Sequence, residues 1–181
     1  MYKFYSKVYD TLFTEHDANK LGYIREYKSE LTQDRFAEYF DEFCFLSYQS
    51  DNFNPSIEEC KEFFLQLEAV KEDNPKFTWK DFMDDLTNSV CMMYEEGQKY
   101  HFLHRSFQEY FCARFFYRQE ESSLWDIAMF FDDMDIRETD KTFAMLYDMK
   151  PKPVEDNVFL PFLENLFTPS NALIAVSYTH L

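Results

Sequence analysis

The stretch VCMMYEEGQKYHFLHRSFQEYFCARFF, Val90–Phe116, changes texture twice, and its reading decides the fold. Two short β-prone runs, Val90–Tyr94 and Lys99–Leu103, flank Glu95-Glu96-Gly97-Gln98. That spacing predicts a β-hairpin with Gly97 in the turn. Ser106, followed three residues later by Glu109, has the form of a capping box and predicts a helix from about Phe107 to about Arg118. The inward stripe of that helix is Phe107, Tyr110, Phe111, Arg114 and Phe115.

Upstream of the hairpin the apolar residues recur at three- and four-residue steps, the period of amphipathic helices. Tyr2–Phe13 carries Phe4, Tyr5, Val8, Leu12 and Phe13 at this spacing. After the polar run Thr14–Lys20 and Gly22, Thr32 introduces a second helix through Phe36, Tyr39, Phe40, Phe43 and Leu46. Asn54-Pro55 interrupts. Ser56 with Glu59 caps a third helix through Ile57, Cys60, Phe63, Phe64 and Leu67, which ends at Asn74-Pro75. Thr78 with Asp81 caps a fourth, through Trp79, Phe82, Met83 and Leu86. Helices leading into one hairpin and then another helix make the expected fold mainly α, with a winged-helix domain whose wing is the hairpin. Further helices are expected near Leu124–Phe131, Lys141–Asp148 and Val154–Phe167, with Pro151 and Pro153 separating the last two.

Composition narrows the function classes. Hydrophobic residues make up 46% of the 181 residues, and aromatics 20%, enough for a packed core. With 2 glycines, no Gly-rich phosphate loop or dinucleotide fingerprint can be present. The formal charge of −16 repels phosphate backbones and anionic membranes, so no nucleic-acid or membrane partner is expected of this piece. No apolar run reaches the ~18 residues of a membrane span, and the amino terminus has no secretory-signal pattern. Cys44, Cys60, Cys91 and Cys112 show no C-x-x-C spacing and sit among apolar residues, which suits buried thiols in a reducing cytoplasm. The ending VSYTHL, 176–181, matches one frame of a common transposase sequencing adapter, so the natural chain is expected to continue past residue ~175.

The candidate site is the joint between wing and helix. His104 and Arg105 precede a helix amino terminus, where unpaired N–H groups and the dipole favour an anion. The alternative is plain: the box needs no ligand, and Arg105 can pair with a carboxylate of so acidic a chain. His101 reads as a strand-face residue. His16-Asp17 reads as a loop clasp near Lys20 rather than a metal or acid–base pair, because no third ligand lies at a suitable spacing. A Ser106–His104 nucleophile and base lacks a nucleophile elbow, so no catalytic residue is assigned.

Phe102–Ala113, FLHRSFQEYFCA, is very similar to the signature that ends the winged-helix domain of NACHT-type signal-transducing NTPases, the group of NOD-like receptors and their bacterial relatives. Glu15–Lys20 (EHDANK), followed by Gly22-Tyr23-Ile24-Arg25, resembles the H-D-x-x-K…R segment upstream of that domain in bacterial members. The two matches fall in the family's order within residues 2–118. The resemblance implies residues 1–30 as a helical linker after an NTPase core, 31–118 as the winged helix and 119–175 as the start of a carboxy-terminal helical domain. It implies a regulatory module, not itself an enzyme, of a slow NTPase that binds ATP or ADP with Mg, oligomerises on activation and serves prokaryotic immune defence. The histidine at the position of His104 is the one that contacts the β-phosphate of ADP in such proteins, with Arg105 beside it. The partner implied is the NTPase core of the same chain.

Two other classes compete. A DNA-binding winged helix would insert the helix before the wing, but there Lys80 is accompanied by Asp81, Asp84 and Asp85, which would face phosphate. A free-standing helical adaptor would bind a partner through aromatic surface.

Overall fold

The computed structural model describes residues 1–14, 27–71, 76–134 and 138–167. The EHDANK segment, Gly22–Arg25 and the VSYTHL ending lie outside them. The chain divides into two compact units, Met1–Phe115 and Phe116–Leu181.

In the first unit the helices are α1 (Tyr2–Thr14), α2 (Gln33–Gln49), α3 (Ile57–Lys71) and α4 (Trp79–Asp84), and α4 widens into a π-helical turn at Asp85–Ser89. The hairpin follows as β1 (Met93–Glu96) and β2 (Lys99–Phe102), and α5 (Arg105–Tyr117) follows the hairpin. Both expected boxes upstream form. Ser56 N donates to Glu59 Oε2 at 2.7 Å and Glu59 N to Ser56 Oγ at 3.3 Å. Thr78 and Asp81 are joined in the same reciprocal way. These bonds satisfy amide donors that a helix start leaves open, which is why α3 and α4 begin where they do.

The strands pair antiparallel with Glu96 opposite Lys99. Gly97 and Gln98, the two loop residues, both have positive φ, 59° and 63°, as a two-residue hairpin turn matched to strand twist requires. Pro55–Ile57, between α2 and α3, adds a third rung: Ser56 bridges Lys99, Tyr100 N donates to Pro55 O at 2.8 Å, and Ile57 N to Gln98 O at 3.3 Å. The order of helix, bridge, helix, helix and hairpin is that of a winged helix.

Its core is aromatic. Phe36, Phe40, Phe43, Phe82 and Phe111 are fully buried. Ring centroids lie 4.5 Å apart for Phe40–Phe111 and 5.1 Å for Phe36–Phe82, tying α2 to α5 and to α4. Removing one such ring costs about 3–5 kcal/mol. α1 joins the same core through Tyr9, whose ring meets Phe111 edge-on at 5.3 Å. The inward stripe of α1 therefore runs through Tyr9, while Phe4, expected on it, is exposed. Asp41, fully buried on α2, lies 3.5 Å from Nε of Arg114 on α5. Arg114 thus belongs to the inward stripe by pairing a buried carboxylate. Cys44, Cys60 and Cys112 are buried free thiols, and burial pushes Cys44 and Cys60 well above the usual thiol range. Cys91 is half-buried, at φ 55°.

The second unit contains a 3₁₀ turn (Glu121–Ser123), then α6 (Leu124–Asp133), α7 (Thr142–Met149), α8 (Pro151–Val154), a π turn (Glu155–Phe159) and α9 (Leu160–Leu166). Leu124, Ile127, Met145, Leu146, Val154 and Val158 form its core. The last two expected helices are separated where the prolines stand, with the break at Lys150, and Pro151 opens the second of them, which takes in Pro153. At a first helical position its missing N–H is no loss. The run from Pro151 to Leu166 is continuous, and its π turn lies just ahead of Pro161, which has no N–H for the carbonyl of Asn157. Among the described residues no helix is long and apolar enough to cross a membrane.

Candidate functional site

The joint between β2 and α5 is built differently from its sequence pattern. Ser106 lies inside α5 rather than ahead of it, so Ser106 and Glu109 do not form a capping box. The cap is His104. Its Nδ1 accepts the backbone N–H of Ser106 at 3.1 Å, its carbonyl accepts Phe107 N at 2.9 Å, and the Ser106 hydroxyl sits 2.6 Å from the same Nδ1. An imidazole nitrogen here does what Ser, Thr or Asp does at most helix starts. S-x-x-E occurs in register, but a histidine two residues earlier takes over the cap.

His104 is exposed. A backbone N–H can only donate, so Nδ1 must be unprotonated, and in the neutral ring the proton resides on Nε2. The residue thus presents an N–H donor at the positive end of a thirteen-residue helix.

Arg105 is turned onto its own helix. Nε lies 3.3 Å from Glu109 Oε1, and the guanidinium covers the ring of Phe53 at 5.5 Å. This is the carboxylate pairing that the sequence left open. Nη1 is buried with no hydrogen-bond partner among the described residues, a deficit of about 1–3 kcal/mol for a donor taken out of water. His101 is a strand-face residue: it stacks on Tyr94 at 5.1 Å, and its Nδ1 lies 2.9 Å from Asn54 Oδ1. His16 and Asp17 lie outside the described residues.

A polar residue that positions this joint was not singled out from sequence. Gln108, buried on α5, donates through Nε2 to Ser47 Oγ at 2.9 Å and to Asn52 O at 3.1 Å, holding the first turns of α5 against the end of α2. A glutamine three residues before Phe111, on the inward face, was the available signal. In a DNA-binding winged helix Asp85 would face phosphate with Asp81 and Asp84; here it is fully buried and accepts bonds from Lys28 and Ser29. Asp81 is occupied by its capping box, and Asp84 pairs with Lys28 at 2.9 Å.

A groove of about 780 Å³ runs between α3, α4 and the hairpin. Lys61, Lys80, Trp79, Asp84, Glu95 and Tyr100 line it, with charges of both signs interleaved. Neither His104 nor Arg105 opens onto it. Burial first, then Glu95, pushes the phenol of Tyr100 up to about 12, so it stands there as a neutral hydroxyl. Among the described residues no three His, Cys, Asp or Glu side chains converge as metal ligands would.

Comparison with protein-family models, with curated proteins and with solved structures yields no match to the chain.

Proposed function

We propose that this chain is the nucleotide-state-sensing winged-helix module of a NACHT-type ATP-binding switch, and that His104 donates Nε2–H to the β-phosphate of ADP bound in an adjoining NTPase core. One observation carries the reading: an exposed histidine caps α5 through Nδ1, which leaves its other nitrogen as a donor beside the helix amino terminus. The winged-helix order and the FLHRSFQEYFCA resemblance support it. The donor fits a phosphate oxygen. Magnesium would be held by carboxylates of the NTPase core, as the resemblance implies. Arg105 is the second candidate contact; its buried Nη1 is available once the guanidinium turns from Phe53. The parent would be a slow cytoplasmic NTPase of prokaryotic defence that oligomerises when the contact is released.

The test starts from the source genome. The chain is extended upstream, purified, and its bound nucleotide and oligomeric state are measured beside His104→Ala. The reading requires a P-loop in the extension, ADP retained by the parent and lost from the variant, and a shift toward larger assemblies. An extension without a P-loop, or equal nucleotide content in both proteins, contradicts it.

A helical adaptor is the second reading. It is favoured by α9, where Leu160, Phe162, Leu163 and Leu166 are all exposed.

A further inference from the structure

We infer that Ser106 is a positioning residue for the proposed phosphate contact, acting by fixing the tautomer of His104. The inference deepens the nucleotide-sensing reading and rests on it for its purpose, but its physical content stands on geometry alone. Two groups of Ser106 meet one ring nitrogen. The backbone N–H lies 3.1 Å from Nδ1 and the hydroxyl 2.6 Å from it. The amide cannot accept, so Nδ1 is the acceptor of both. The hydroxyl is therefore turned as a donor, and the ring proton is confined to Nε2.

Ser106 is buried, and among the described residues its hydroxyl has no other hydrogen-bond partner, so it is committed to this task. An unconstrained imidazole divides its proton between two nitrogens. With the proton on Nδ1 the ring could neither cap α5 nor offer Nε2–H to an anion. Ser106 thus couples the start of α5 to the donor state of His104: the same arrangement that closes the helix makes the donor. His101 supplies a contrast in the same molecule. Its Nδ1 faces the carbonyl oxygen of Asn54 at 2.9 Å, which selects the opposite tautomer.

The experiment uses the 181-residue chain, labelled with ¹⁵N, and two-bond ¹H–¹⁵N spectra of the imidazoles at neutral pH. His104→Gln assigns the resonances. The expected result is a pyridine-type Nδ1 and a pyrrole-type Nε2 for His104. Ser106→Ala shifts the tautomer ratio toward Nδ1–H by about three- to tenfold, the worth of one hydrogen bond, and Ser106→Thr restores it. A pyrrole-type Nδ1 in the parent overturns the inference, as does an unchanged ratio in Ser106→Ala with the fold intact by amide spectra. In the extended protein Ser106→Ala should speed ADP release by a similar factor, and Ser106→Thr should not. Spectra as expected with unaltered ADP release would sink the nucleotide reading and leave the tautomer assignment standing.

Discussion

Ser29 reaches the carboxylate of Asp85 twice, with its backbone N–H at 2.9 Å and its hydroxyl at 2.6 Å, across 56 residues of sequence. Lys28 N adds a third bond at 2.9 Å, to the other oxygen. The buried carboxylate thereby holds the approach to α2 against the π turn that leads into the wing. The Ser89 hydroxyl adds a fourth bond at 3.4 Å, so Asp85→Ala would leave four donors without their acceptor, and it should destabilise the first unit by about 3 kcal/mol or more. Urea unfolding followed by aromatic fluorescence measures this. A loss within about 0.5 kcal/mol, the ordinary surface value, would mean that the clasp is not formed.

The wing turn offers a gain. Gln98 holds φ 63°, a conformation in which a side chain such as glutamine is strained and asparagine or glycine is not. Gln98→Asn should therefore stabilise by about 0.5–1 kcal/mol. Gly97→Ala, at φ 59° with open space around the added carbon, should cost about 1 kcal/mol through backbone strain alone. Thermal unfolding of the two variants should move in opposite directions.

Acid should weaken the module through its helix caps. Hydrogen bonds from the Ser56 backbone and hydroxyl hold Glu59 below the usual carboxylate range, and bonds from the Thr78 hydroxyl and backbone do the same for Asp81. A carboxylate whose folded pKa is depressed contributes fully above its unfolded pKa, and the contribution fades as pH falls through the folded value. Stability should thus be flat above about pH 5 and fall below about pH 4. Glu59→Gln should flatten part of that acid limb while leaving the alkaline side unchanged, which melting temperatures across pH would record.

Much of this architecture was legible because its signals are local. Helical spacing marked α2 and α3, two capping boxes set the starts of α3 and α4, and Gly97 fixed the wing turn. What escaped the sequence depends on partners far along the chain. Asp85 looked like surface charge because its partners, Lys28 and Ser29, lie on the approach to α2. Gln108 looked incidental because Ser47 and Asn52 are 61 and 56 residues away. Tyr9 replaced Phe4 on the inward face of α1 because Phe111 decides which side of that helix is covered. At the candidate site, His104 could be picked out by residue type and place, but its role as the cap of α5 could not. S-x-x-E named Ser106 for that role, and only the ring geometry reassigns it.

The proposed switch depends on His104 touching bound nucleotide. Asparagine is a strong helix cap but is too short to reach as an imidazole does, so His104→Asn keeps the start of α5 and removes the proposed contact. The measurement is the dissociation rate of a fluorescent ADP from the upstream-extended protein. Release should be about ten- to a hundredfold faster in His104→Asn, the worth of a hydrogen bond to a charged group, with an unchanged melting temperature for the module. Equal release rates in the two proteins would contradict it.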